Sequence, residues 1–216
     1  LDGGQTYGAS ALVTGTDAAG NRGWHAVAAG QDGAVHATWL DHRRLAPAPG
    51  ATPHHHATTT PATPAPAATP AATVDTVATA QRSDLYFASL GAASSPKPVT
   101  AGVCYCCKTA MAHGPDGAIY LAWRHVYAGN MRDIAMTVSR DGGETFSAPT
   151  RVSADGWSIA GCPDDGPAMA VDGLGRVHVV WPTMVTTNGT GQKRLFHAMT
   201  TDGVTFSTRT AIPHAG

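Results

Sequence analysis

"TAMAHGPDGAIYLAW", Thr109 to Trp123, is an alternating apolar run, a Gly-bearing turn and a second alternating run that closes on Trp. A period of two on either side of an Asp-Gly turn reads as a β-hairpin. The pattern occurs twice more without a gap, as "HAVAAGQDGAVHATW" (His25 to Trp39) and "PAMAVDGLGRVHVVW" (Pro167 to Trp181). A third strand follows each copy: "DLYFASL" from Asp84, "DIAMTVS" from Asp133 and "RLFHAMT" from Arg194. Short runs, "FSAPTRV" and "FSTRTAI", supply a fourth. The chain therefore reads as an all-β protein built from repeated four-stranded antiparallel units.

The turn between the third and fourth strands carries a further signature. "SRDGGETF", Ser139 to Phe146, satisfies the Asp-box pattern S-x-D-x-G-x-T-F, "TTDGVTF" (Thr200 to Phe206) is one residue shorter, and "LDGGQTY" (Leu1 to Tyr7) lacks the Ser. The Asp accepts amide protons of the turn, Gly takes a positive φ, and the closing aromatic buries between neighbouring sheets. The chain resembles the sialidase-like, BNR-repeat β-propellers over nearly all of its length outside one insertion. The resemblance implies a partial propeller spanning residues 1–216, with about three blades, the tail of an earlier blade at Leu1 to Thr14, and six blades in the complete ring. Asp-box propellers serve hydrolases, lyases and binding proteins alike, so the resemblance speaks to fold before function.

The insertion is "APAPGATPHHHATTTPATPAPAATPAATVDTVATA", Ala46 to Ala80. Its few large apolar side chains cannot offset the entropy of ordering, so residues 46–80 are expected to be an irregular, partly polyproline-like loop.

Composition excludes several functions. A net charge of −1 gives no bulk attraction to nucleic acid or anionic lipid, and no apolar run is long enough for a membrane span. Charged residues are only 13% and glycines number 25, which suits a turn-rich β-protein better than a helical one. Glu144 is the single glutamate. Cysteine usage points to a periplasmic or secreted setting, with location inferred only indirectly because the sequence shows no signal segment.

In a meandering unit the first and third turns share one end and the remaining connections share the other. The Asp-boxes and Gly turns therefore lie at one end. At the other gather Asp41, His42, Arg43 and Arg44, then Arg124, His125 and Tyr127, with Trp24 and His25, Cys104, Tyr105, Cys106 and Cys107, and Cys162, Asp164 and Asp165. Charges are scarce in this chain, so their concentration at one mouth suggests a ligand site.

Three chemistries remain open for the cysteines. A disulfide from Cys104 or Cys106 to Cys162 would staple two connections together. Cys104, Cys106, Cys107 and Cys162 with His25, His42 or His125 would suit copper or zinc, although C-x-C-C is not a usual zinc spacing. A near-vicinal redox pair is the third. The expected partner is a small molecule, glycan or metal ion; oligomeric state is open. The alternative implied by the resemblance is an exo-sialidase acting on a sugar acid, with Arg43 and Arg124 holding a carboxylate, Tyr127 or Tyr105 as nucleophile and Asp41 or Asp164 as acid/base. Glu144 lies in the Asp-box turn, at the wrong end to activate a tyrosine.

Overall fold

Side chains at alternate positions of an extended chain face opposite sides, so a run that is apolar at every position must be covered twice. "IYLAWR" is such a run, and it forms a strand whose six residues are all buried. The computed structural model describes residues 5–13, 15–30, 33–45, 75–91, 95–159, 161, 163–187 and 189–213. They form three four-stranded antiparallel sheets. The first comprises β1 (Arg22–Ala29), β2 (Val35–Asp41), β3 (Asp84–Leu90) and β4 (Lys97–Ala101). The second comprises β5 (Ala110–His113), β6 (Ile119–Arg124), β7 (Ile134–Ser139) and β8 (Thr150–Arg151). The third comprises β9 (Ala168–Val171), β10 (Val177–Thr187), β11 (Thr190–Thr200) and β12 (Thr210–Ala211). Within each sheet, neighbours in space are neighbours in sequence.

The gapless alignment of the repeats is reproduced as a common register. Ala28 pairs with His36, Ala112 with Tyr120 and Ala170 with His178. The hairpin turns close identically, by Gly30 N–H to Ala34 O at 2.7 Å, Gly114 N–H to Ala118 O at 2.8 Å and Asp172 N–H to Arg176 O at 3.0 Å. Gly117 and Gly175 take the positive φ of +80° and +77° that this turn needs.

The second sheet is the filling of the structure. Ile119, Leu121 and Trp123 face Leu40, Leu85 and Phe87 of the first sheet, while Tyr120 and Ala122 join Val177, Val179, Trp181 and Ala198 of the third. Phe146 closes the Ser139–Phe146 turn edge-on against Phe87, ring centres 5.1 Å apart. In that turn Asp141 accepts from the Ser139 hydroxyl at 2.7 Å, Thr145 N–H at 2.9 Å and the Thr145 hydroxyl at 2.5 Å. Those bonds hold its carboxyl down to about 2. The innermost strands β1, β5 and β9 lie side by side, with Thr109 donating from its hydroxyl to Trp24 O at 2.6 Å.

Three expectations are corrected. Residues 46–74 lie outside the described residues, but the end of the expected irregular segment is ordered as helix α1 (Thr76–Ala80). Asp75 caps it by accepting from Val77 and Ala78 N–H, both at 3.0 Å, and Ala80 is fully buried. Composition alone concealed this cap. The segment expected to end an earlier blade forms no strand over residues 5–13; Val13 instead packs on the apolar outer face of the first sheet with Trp39 and Tyr86. Strand β10 does not end at Trp181 but continues through Pro182 to Thr187, making a long hairpin with β11. Among the described residues no helix is long and apolar enough to cross a membrane.

Between the inner strands, a Cβ at Gly166 would stand 2.0 Å from the Lys108 carbonyl oxygen, whereas one at Gly173 would meet nothing within 4 Å. Because that obstacle is backbone, it cannot rotate away. Gly166→Ala is expected to destabilise the protein by about 3 kcal/mol and Gly173→Ala by less than about 0.5 kcal/mol, read from urea unfolding. Equal costs would show that the inner strands do not meet this closely.

Candidate functional site

The end of β6 remote from the Ser139–Phe146 turn is where the unusual side chains meet. There the segment 101–107 is stitched onto the chain leaving β6: Cys104 N–H donates to Arg124 O at 2.8 Å, Val126 N–H to Gly102 O at 2.8 Å, and Val103 bridges His125. Gly102 has φ +77°, and any side chain there would strike the His125 ring at 2.8 Å. This backbone path turns Cys104, Cys106 and Cys107 inward together. Their three sulfurs lie within 4.8 Å of one another and all three residues are buried.

Cys104 and Cys107 are joined by a disulfide, with Cα atoms 5.5 Å apart. Cys106 also belongs to a disulfide, and its sulfur is 3.9 Å from that of Cys104. Cys162 lies outside the described residues, as does any bridge to it. The described bridge is thus within the loop, because the Cys104–Cys107 turn, closed by Cys107 N–H to Cys104 O at 3.2 Å, brings those two Cα atoms within disulfide reach. Ala80 of α1, Val126, Trp24 and Tyr105 pack around the sulfurs.

The histidines do not join them. Among the described residues the only group of three potential metal-ligating side chains is the cysteine trio. His25 is exposed and lines a separate cavity of about 480 Å³ with Trp39 and Leu12. His42 is buried against Trp24, ring centres 5.5 Å apart, with Nε2 unpartnered, and burial lowers its pKa. His125 accepts the Trp123 indole N–H on Nδ1 at 3.3 Å, and burial holds its imidazole down to about 4.

The expected catalytic residues are largely occupied with one another. Asp41, fully buried, accepts from Arg22 Nε at 3.0 Å, Arg43 Nε at 2.9 Å and Trp39 Nε1 at 3.2 Å. Burial alone would raise its carboxyl; the Arg43 hydrogen bonds outweigh that and bring it to about 2. Arg124 is buried and spent on Asp165 Oδ1, Pro182 O and Arg132 O, at 2.7, 2.7 and 2.6 Å, with Trp157 against its plane. Burial pushes the Tyr127 hydroxyl up to about 12, and Arg151 stacks 4.5 Å over its ring. Asp164 is exposed with φ +49°. Glu144 pairs with Lys97 at the far end.

One residue at this end was not singled out from sequence. Arg132, fully buried, aims Nη1 at Cys104 Sγ from 3.0 Å. Its signal was an arginine at the mouth of a chain poor in charge, immediately before the third strand of the unit, where the other copies carry Ser83 and Lys193.

No family model matches the chain, and no curated protein does. Among solved structures it is similar to a protein of unknown function from Dyadobacter fermentans, at 13% identity and TM-score 0.47 over 86% of this chain and 53% of that one. It is similar also to an α-L-arabinanase of Penicillium chrysogenum, solved with arabinobiose, at 12% identity and TM-score 0.44 over 88% of this chain and 49% of that one. A Hadza microbial sialidase gives 15% identity and TM-score 0.46 over 87% of this chain and 33% of that one. The chain spans about half or less of the length of these proteins.

The depressed His125 has a thermodynamic consequence. The unfolded imidazole takes up its proton near the ordinary 6.5 and the folded one only near 4, so stability is present above pH 6.5 and declines as pH falls between those values. His42 contributes with the same sign. Between pH 7 and 4.5 the urea midpoint of the protein should fall further than that of His125→Gln, whose amide oxygen can still accept from Trp123. Parallel losses in the two proteins would refute the assignment.

Proposed function

We propose that the three sheets are blades of an Asp-box β-propeller of more blades, six on the sialidase-like resemblance, and that the protein works in the periplasm or outside the cell. Its chemistry on this reading is thiol–disulfide exchange at the loop end, carried by Cys104, Cys107 and the adjoining Cys106. The sheets in series with β1, β5 and β9 side by side support the propeller. The observation that carries the chemistry is the convergence of three sulfurs within 4.8 Å on one turn, two of them bonded to each other as C-x-x-C. Disulfides persist in oxidising compartments, which supports the location.

Glycoside hydrolysis of the sialidase type is served less well by this chain. Its carboxylate clamp would draw on Arg43 and Arg124, which already hold Asp41 and Asp165. Its nucleophile would be a tyrosine whose proton is held more tightly than usual. Copper or zinc would need the sulfurs as thiolates, and in this structure they are spent on disulfides.

The test is reduction of the folded protein. Unfolded but unreduced protein should show no reactive thiol and the reduced protein four, matching its four cysteines. Dithiothreitol should open Cys104–Cys107, mapped by alkylation and mass spectrometry, while the β-sheet circular dichroism persists. Opening only upon loss of the sheets would mark the bridge as a staple and end the exchange reading. Stoichiometric copper or zinc with free thiols in the purified protein would replace it with a metal–thiolate centre. Release of sugar acid from a fluorogenic sialoside would restore the hydrolase.

A further inference from the structure

Arg132 is a buried cation with no carboxylate partner among the described residues. Its guanidinium touches Cys104 Sγ at 3.0 Å and Asn130 Oδ1 at 3.2 Å, lies 5.9 Å from the centre of the Tyr105 ring, and leaves Nε buried without a partner. The neighbouring carboxylate, Asp133, is turned to the other side of the strand and taken by Arg151. The other buried arginine of this end, Arg124, has Asp165, and half-buried Arg22 has Asp41. A desolvated guanidinium facing only neutral groups is costly unless some state of the protein supplies an anion.

The anion nearest to hand is a thiolate. We propose that reduction of Cys104–Cys107 supplies the missing counter-ion as the Cys104 thiolate, so that Arg132 makes this bridge an oxidant for dithiol substrates, with Arg132 as the positioning residue. The inference rests on the thiol–disulfide reading above and adds the direction of electron flow and the class of substrate.

The steps balance. One thiolate of the substrate attacks Cys107 Sγ, beside exposed Lys108; the Cys104–Cys107 bond breaks and its electron pair leaves on Cys104, facing Arg132. The second thiol of the substrate then attacks its own sulfur in the mixed disulfide, releasing Cys107, which takes a proton. The substrate ends as a disulfide, oxidised by two electrons; the protein ends as one thiolate and one thiol, and one proton passes to solvent. Cys104 leaves rather than Cys107 because the sulfur with the stabilised anion is the better leaving group. Cys107 is itself only 1% exposed, so the Tyr105–Lys108 turn must open for the attack.

The experiment equilibrates the whole protein with graded oxidised and reduced dithiothreitol and reads the Cys104–Cys107 state by alkylation. A charge-assisted hydrogen bond lost on Arg132→Met should lower the equilibrium constant for reduction by about tenfold or more, and Arg132→Lys should recover much of it. The reduced protein should show thiolate absorbance near 240 nm at neutral pH, abolished by iodoacetamide. Equal equilibrium constants for the protein and Arg132→Met would overturn this inference while leaving exchange at the loop intact; a bridge that resists reduction in the folded state would instead remove the exchange reading beneath it. Should Arg132→Met fail to fold, the absorbance decides: its absence in the reduced protein overturns the proposal.

Discussion

Strand β6 is covered on both faces, and the rest of the structure follows from that. Its odd-numbered side chains, Ile119, Leu121 and Trp123, bury against the first sheet, and its even-numbered ones, Tyr120 and Ala122, against the third. Each large side chain so placed contributes roughly 1.5–3 kcal/mol relative to exposure, so a slip of one residue would exchange two complete sets of contacts. That constraint pins the register of the second sheet, which in turn sets where its two ends lie. The Ser139–Phe146 turn leaves from one end, and the cysteine loop is sewn by backbone hydrogen bonds onto the other.

A second rule recurs across the three sheets. The tryptophan that ends each repeat buries an indole N–H, and a buried donor must find an acceptor. Trp39 uses Asp41 and Trp123 uses His125, each two residues further along on the same side of the strand; Trp181 uses Asp155, because Thr183 stands at the equivalent place. Asp41 and His125, which look like site residues in the sequence, are therefore the acceptors that let a large aromatic be buried. Their shifted protonation has other causes, the Arg43 hydrogen bonds for Asp41 and burial for His125. A carboxylate among two arginines stays ionised, and an imidazole without a charged partner stays neutral.

The cysteine loop is a different kind of feature. Nothing in the repeat requires three sulfurs and an arginine that has no acid among the described residues in one buried pocket. Stability arguments account for Asp41, Arg124 and His125 but not for Arg132, whose charge is desolvated beside sulfur. On the thiol–disulfide proposal, a state-dependent anion would resolve that imbalance.

The sheet architecture was legible in the sequence. Periodicity of two, turns at matching offsets and a recurrent Trp are local properties, each set by the backbone geometry of a few residues, and they specified three four-stranded units and the end at which each loop lies. Cys104 meets the end of β6 at Arg124, while Cys162 lies outside the described residues. Helix α1 was hidden because a capping Asp75 is a single residue within a long tract of Ala, Thr and Pro. Only the packing of sheets and loops settled which buried arginine meets an acid and which meets a sulfur. Those outcomes depend on side chains far apart in sequence, such as Arg124 with Asp165 or Arg132 with Cys104, whose meeting is fixed by how sheets and loops pack rather than by the pattern along any one strand.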